Sequence, residues 1–297
     1  MRVATRSLYQ GIQQRLLKLT SDLKTANEKI SSGKRILRPS DDPIGLTDSL
    51  GFKSALSQAA QYARSGERGT SWLNQSESAI SGALELVIRA KEIAIEMASD
   101  TQDAGTRAQG AVEVGHLLDE AIALGNTRLE GSYVFAGYRT KTTPFLKATV
   151  GGIETAQYQG DTHDFQIQIG RDERLAVGRN GQTVFMDSSL FDTLGNLKNA
   201  LENNDLSGIQ QQVGGLNGVS DYLNNQIADV GARANRLEIK QGSLSLLTAD
   251  LEERLSQVQD TDLVEMTIEL KEKELAYQAA LSAAARLTEI NILSYLG

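Results

Sequence analysis

The stretch Ile12-Gln13-Gln14-Arg15-Leu16-Leu17-Lys18-Leu19-Thr20-Ser21-Asp22-Leu23-Lys24-Thr25-Ala26-Asn27-Glu28-Lys29-Ile30 decides how the rest of the chain is read. Its apolar residues Ile12, Leu16, Leu19, Leu23, Ala26 and Ile30 advance by alternating steps of four and three. That spacing draws one stripe along a helix and requires a second helix to cover it. The other end of the chain carries a matching stripe at Leu263, Met266, Leu270, Tyr277, Leu281 and Ala284. Residues 1–38 hold nine Lys or Arg against two acids, a net of +7, and residues 249–297 hold ten acids against four bases, a net of −6. The two ends are therefore expected to pair with each other as a coiled coil and to pack against copies of the chain. The whole-chain charge of −8 hides this split.

Moving inward, Ser31-Ser32-Gly33 supplies a helix stop, since glycine takes the left-handed cap at little cost. Asp42-Pro43 supplies the next start, an N-cap followed by proline at the first helical position. Only three prolines occur in 297 residues, so long helices are permitted. Helices are expected near residues 43–66, 71–100 and 103–129. Ile80, Leu84, Val87, Ala90, Ala94 and Met97 form the stripe of one, and Val114, Leu117, Leu118, Ala121 and Leu124 that of another. Between residues 131 and 190 the texture changes, with seven of the fifteen aromatics and eight glycines. Phe165-Gln166-Ile167-Gln168-Ile169 alternates with period two, Tyr133-Val134-Phe135 and Leu175-Ala176-Val177 are β-prone, and Gly151-Gly152, Gly160-Asp161 and Asn180-Gly181 signal turns. Helical pattern resumes near Ser189, with a stripe at Leu237, Leu244, Leu247, Leu251, Leu255 and Val258 broken at Asp260-Thr261-Asp262. The expected fold is mainly α with a small inserted β domain. Residues 1–40 and 262–297 make a terminal coiled-coil domain, 41–130 and 190–261 a helical-bundle rod, and 131–189 an outer β-rich domain.

Little in the chain suits catalysis. There is no cysteine, which removes disulfides, thiolate metal sites and cysteine nucleophiles. Only two histidines are present, so a His-based triad lacks material. Asp161-Thr162-His163-Asp164 offers two carboxylates and an imidazole, but neighbours on a strand point to opposite faces, and a turn is the better reading. Gly214-Gly215-Leu216-Asn217-Gly218 lacks the strand and spacing of a phosphate loop and reads as a helix interruption. Lys271-Glu272-Lys273-Glu274 reads as a solvated helix face. The basic N-terminal stretch lacks the interleaved aromatics of a nucleic-acid surface, and its acidic counterpart at the C-terminus explains it better. No apolar run is long enough to span a membrane. Met1-Arg2-Val3-Ala4-Thr5-Arg6-Ser7-Leu8 has no apolar core of a cleaved secretory signal. No enzyme activity, cofactor, metal, nucleic acid or membrane insertion is expected.

Lys29-Ile30-Ser31-Ser32-Gly33-Lys34-Arg35-Ile36 followed by Ser40-Asp41-Asp42-Pro43-Ile44-Gly45 resembles the N-terminal hallmark of the bacterial flagellin family, with Ile30 and Ile44 as mild departures. Gly231-Ala232-Arg233-Ala234-Asn235-Arg236-Leu237-Glu238, Leu255-Ser256-Gln257-Val258-Gln259-Asp260-Thr261-Asp262 and Tyr277-Gln278-Ala279-Ala280-Leu281, with the closing Ile292-Leu293-Ser294-Tyr295-Leu296, resemble its C-terminal half. The middle, Gly131-Ser132-Tyr133-Val134-Phe135-Ala136-Gly137-Tyr138 with Thr143-Pro144-Phe145 and Tyr158-Gln159-Gly160-Asp161, resembles the family members found where hook meets filament, and flagellins lack it as a rule. The resemblance implies an extracellular, non-enzymatic flagellar subunit, exported through the flagellar type III apparatus without cleavage and needed for motility. It implies self-assembly into a ring, with hook-associated protein 1 and flagellin as axial partners and an export chaperone binding near the C-terminus. The rival within the family is a flagellin that forms the filament itself. A rival of another class is an adhesive module that presents the β insert on a helical stalk.

Overall fold

Each stretch with an apolar stripe at helical spacing becomes a helix. The computed structural model describes residues 2–296, and the side chains of Ser7 and of residues 9–286. Its helices are α1 (Arg2–Ser32), α2 (Pro43–Met97), α3 (Ala104–Gly125), α4 (Leu190–Glu202), α5 (Leu206–Gln259) and α6 (Leu263–Leu296). Between α3 and α4 lie β1 (Arg128–Leu129), β2 (Ser132–Tyr133), β3 (Phe145–Val150), β4 (Ile153–Tyr158), β5 (Gln166–Gln168) and β6 (Arg174–Ala176), then a single π-helical turn at Gln182–Met186. This is the mainly helical fold with a small β insert that the sequence leads one to expect. The chain divides into two compact units, residues 1–58 with 247–297, and residues 59–246.

In the unit of residues 59–246 the stripe of α2 is buried as the spacing requires. Ile80, Val87, Ala90, Ala94 and Met97 are buried, against Val114, Leu118 and Ala121 of α3 and Leu194, Leu197 and Leu201 of α4 in one continuous core. Two expected breaks are absent. The helices expected at 43–66 and 71–100 are one helix, Pro43–Met97, and Gly214-Gly215-Leu216-Asn217-Gly218 lies inside α5. A glycine costs a helix only about 1 kcal/mol, and packing reverses the preference. A side chain at Gly69 would meet Ile167 Cδ1 at 2.5 Å and Val177 Cγ1 at 3.0 Å. The helix expected to reach residue 129 stops at Gly125 instead. Asn126 ends it by exchanging two hydrogen bonds with the backbone of Phe145, each 2.9 Å.

The β insert is three separate antiparallel hairpins, β1–β2, β3–β4 and β5–β6. Strands β3 and β4 were not apparent from periodicity. They flank Gly151-Gly152, both at positive φ, and pair in register from Phe145↔Tyr158 to Val150↔Ile153. Phe145 is the hub. It lies 5.1 Å from the Phe191 ring, 5.2 Å from Tyr158 and 5.5 Å from Phe185, and is fully buried. At the α2–α3 end, buried Arg107 donates to Met97 O (3.0 Å), Ser99 O (2.9 Å) and Asn204 Oδ1 (2.5 Å). It thereby satisfies carbonyls that the end of α2 leaves free.

Candidate assembly surface of the terminal helices

In the unit of residues 1–58 and 247–297, the segment around Ser31-Ser32-Gly33 works as a knuckle. Gly33 adopts φ +67° and ends α1. The chain then runs antiparallel to the α5–α6 loop, with Lys34 bridged to Asp260. Arg35 N donates to Gln259 O (2.8 Å) and Thr261 N donates to Gly33 O (3.0 Å). The Arg35 guanidinium donates to Val258 O at 2.9 Å, on the last turn of α5, and to Asp42 Oδ2 at 3.0 Å. A cation at a helix C-terminus is favourably placed.

Asp42 is the cap that its position before proline predicts. Its Oδ1 accepts from Gly45 N at 2.8 Å. Gly45 is buried, and any side chain there would collide with Asp42 Oδ2 at 2.5 Å and Ile36 Cδ1 at 2.8 Å. Asp41 Oδ2 accepts from Leu37 N (3.0 Å) and Arg38 N (2.9 Å). The amides of Arg38 and Leu37 hold the Asp41 carboxyl below its ordinary range. The Gly45 amide, and then Arg35, do the same for Asp42. Hydrogen bonds to the charged form are the cause in both cases. The break at Asp260-Thr261-Asp262 is also real, and Asp262 Oδ1 accepts from Val264 N at 2.8 Å to start α6.

From this knuckle α1 and α6 run antiparallel and pack on each other. On α1, Ala26 is buried and Ile12, Leu16, Leu19, Leu23 and Ile30 are half-buried. On α6, Met266 is buried and Leu270 and Tyr277 are half-buried, but Leu263 and Leu281 are exposed. The covered face of α6 thus centres on Met266, Leu270 and Tyr277, with Leu263 and Leu281 at its margin. At roughly 100° per residue, Val264, Ile268 and Leu275 fall on the opposite side. They are 71%, 57% and 65% exposed. Leu17 of α1 is also bare, at 64%. Helix α6 therefore carries two apolar faces, one covered by α1 and one open. The seam reading missed Val264, Ile268 and Leu275, because a search for one stripe at coiled-coil spacing assigns the remainder to solvent.

Among the described residues, no Lys or Arg of residues 1–38 forms an ion pair with an acid of residues 249–297. Among the described residues, those of this unit pair within a segment: Lys24–Glu28, Arg38–Glu28, Arg35–Asp42, Arg254–Asp250, Lys271–Glu274 and Lys273–Glu269. Long side chains find partners three or four residues away on their own helix first. Arg2, Arg6 and the block at residues 292–296 have side chains outside the described residues.

The other motifs turn out to be scaffolding. Asp161 accepts from Tyr138 N and His163 N, each at 2.9 Å. Asp164 accepts from Asn180 and lies 3.4 and 3.5 Å from Arg179 and Arg233, which share Asp229. Both carboxylates fix the loop before β5, as the turn reading has it. His116 is exposed on α3. Among the described residues no three His, Cys, Asp or Glu side chains converge on a metal-sized site, and no helix is long and apolar enough to cross a membrane.

Two family models match the chain: the bacterial flagellin N-terminal helical region over residues 3–140, and the bacterial flagellin C-terminal helical region over residues 213–296. The chain is 28% identical over 186 residues to flagellar hook-associated protein 3 of Escherichia coli, which covers 62% of this chain and 57% of that protein. It is 26% identical over 278 residues to the flagellar filament 31.3 kDa core protein of Treponema maltophilum, covering 91% of this chain and 90% of that one. Its fold matches the solved structure of a flagellar hook-associated protein from Vibrio parahaemolyticus with a TM-score of 0.67 at 16% identity, over 74% of this chain and all of that one.

Proposed function

As the chain belongs to the bacterial flagellin family, its two models together matching most of its length, we propose that it is the adaptor at the hook–filament junction, joining hook-associated protein 1 to the flagellin filament. The observation that carries this reading is the middle block. Tyr133-Val134-Phe135-Ala136-Gly137, which flagellins lack as a rule, is buried throughout. The Phe135 ring packs edge-on to Phe185 at 5.0 Å, and Tyr158 donates to Phe135 O at 2.8 Å. A sequence feature that separates family members thus supplies the centre of the β insert.

The mechanism is packing. Residues 1–40 and 262–297 form the terminal coiled coil, whose seam residues Ile12, Leu16, Leu19, Leu23, Ile30, Leu263, Met266, Leu270, Tyr277 and Leu281 join α1 to α6 and to neighbouring copies in a ring. Residues 41–130 and 190–261 form the helical rod, and 131–189 the outward β domain. The subunit is extracellular, exported uncleaved, and handed over by a chaperone that holds the C-terminal helix. Immunogold labelling of isolated flagella tests the reading. A band at the hook–filament boundary is expected, and label along the whole filament would overturn it.

A second reading, flagellin of the filament itself, is favoured by the end-to-end alignment with the Treponema filament protein. Purified protein that grows into filaments without limit would establish it, whereas a junction adaptor stops at short oligomers.

A further inference from the structure

The unit of residues 59–246 has a recess of about 330 Å³ that neither helix packing nor the proposed assembly uses. Its apolar lining is Trp72 of α2, Leu129 of β1, Phe165 just before β5 and Ile167 within it. Phe165 stacks on Trp72 with ring centroids 4.8 Å apart. It also meets Tyr138 edge-on at 6.3 Å, and Tyr138 lies 5.8 Å from the imidazole of His163. Tyr138 is 54% exposed, and the His163 side chain 73%. In a chain with only fifteen Phe, Trp and Tyr, three of them and a histidine make one ladder that begins in the recess and ends in solvent.

The rim is polar, and part of it is without partners among the described residues. Ser65, Arg68, Glu130 and Gln168 line it. Among the described residues Arg68 has no carboxylate partner, and neither Ser65 nor Glu130 makes a side-chain hydrogen bond. Gln168 spends its Nε2 on Gly170 O and Arg171 O, each 3.0 Å, and leaves its Oε1 free. Glu130 sits at φ 49° in the two-residue β1–β2 turn, before Gly131 at φ 75°. A turn of this kind prefers Asn or Gly at that position, so the chain accepts a strained glutamate there and gains a carboxylate on the rim. Such strain in native structures gathers at binding sites.

We propose that this face binds a saccharide. The C–H face of a sugar ring lies on the exposed Tyr138 ring, and a neighbouring sugar enters the recess over Phe165 and the edge of Trp72. Its hydroxyls donate to Glu130 and Gln168 Oε1 and accept from Arg68 and Ser65. Donors and acceptors in nearly equal number around an aromatic floor suit a polyhydroxylated ligand, whose every hydroxyl needs both. A purely apolar guest would strand those four groups, and unpaired polar groups are costly to cover. The inference goes beyond the junction role and does not depend on it.

Trp72 is the sole tryptophan of the chain, so its fluorescence reports on the recess alone. The full-length protein is titrated with maltotriose, triacetylchitotriose and sialyllactose, with saturation-transfer NMR run alongside. At least one saccharide is expected to change the Trp72 emission saturably. Arg68→Ala and Tyr138→Ala should each weaken it by about fivefold, one hydrogen bond or stacking contact, with far-UV circular dichroism unchanged. Glu130→Asn, which keeps the left-handed turn, should weaken it likewise. The proposal fails if no saccharide gives a signal by either method. It also fails if binding is unaffected in all three variants, or if an aromatic peptide saturates the site where the saccharides do not.

Discussion

The open face of α6 gives the most direct test of how the terminal helices work. Val264, Ile268 and Leu275 are between 57% and 71% exposed, so replacing all three with serine removes little that the single chain buries. Surface substitutions of this kind usually shift stability by no more than about 0.5 kcal/mol each. In an assembled ring the same residues are expected to lie under a neighbouring copy. Complete burial of a Val, Ile or Leu side chain contributes about 1.5–3 kcal/mol. Covering the exposed half to two-thirds therefore contributes roughly 1–2 kcal/mol per residue, or about 3–6 kcal/mol per contact. That corresponds to a contact roughly a hundred- to ten-thousandfold weaker. The comparison variant is Met266→Ala, on the covered face, where Met266 is 8% exposed. Loss of a buried Met typically costs about 2–5 kcal/mol, so this variant should lose helix content and amide-exchange protection in α1 and α6 of the monomer. The triple serine variant should keep both, yet fail to enter flagella when expressed in place of the natural chain, read as lost label at the flagellum and lost swimming. If the triple variant instead loosened α1 and α6 in the monomer, the face would already be covered within the chain. If it assembled normally, α6 would have no outer partner, and the two-faced reading would be wrong in either case.

Three further outcomes are expected. Arg107→Met should destabilise the unit of residues 59–246 by about 3–5 kcal/mol, since it strands the carbonyls of Met97 and Ser99 and the amide oxygen of Asn204; chemical denaturation followed by circular dichroism measures it, and a loss below about 1 kcal/mol would show that water replaces the guanidinium. The carboxyls of Asp41 and Asp42 titrate below their ordinary value of 3.8 in the folded chain, so their contribution is complete above about pH 5 and is lost as pH falls through the lowered values. Asp42→Asn keeps an oxygen for Gly45 N but gives up the charge beside Arg35, and should be less protected than the parent chain around the knuckle at pH 7, the gap narrowing as pH falls below the ordinary carboxyl value and closing once it passes the lowered one; a gap unchanged throughout the acid range would place its origin elsewhere. Amide exchange on the monomer should be faster through residues 12–30 and 263–286, where burial is partial, than in the core around Phe145 and Phe191; equal protection would mean that α1 and α6 need no neighbour.

What the sequence made legible was chemistry confined to a few residues. Gly33 had to end a helix and Asp42-Pro43 had to begin one because their cap geometry is intrinsic, and both do so. The same holds for Asp262 at the start of α6. Features set by distant partners were not legible. Nothing near Gly69 announces that Ile167 and Val177 will press against it, so α2 read as broken. Strand β3 opens with buried Phe145 and continues with exposed Leu146 and Lys147, a pattern that has no period of two.

The charge split shows the same limit from the other side. Net charges of opposite sign at the two ends did foretell that α1 and α6 would be neighbours, but not through which atoms. Coulomb attraction between exposed groups is weak in water and screened beyond about 10 Å, so it biases which helices approach without fixing their contact. The apolar seam fixes the contact, and it turns Met266, Leu270 and Tyr277 inward. Once that face is used, what remains outside on the two helices is a cation-rich α1, with Arg15 and Lys18 unpaired among the described residues, and an α6 with Glu265 and Glu272 unpaired beside a bare Val264, Ile268 and Leu275 stripe. An isolated pair that had satisfied its charges internally would have no reason to add a third helix. This pair satisfies its apolar seam and leaves its second stripe and part of its charge for a neighbour, which is the condition a subunit needs to fold alone and still assemble.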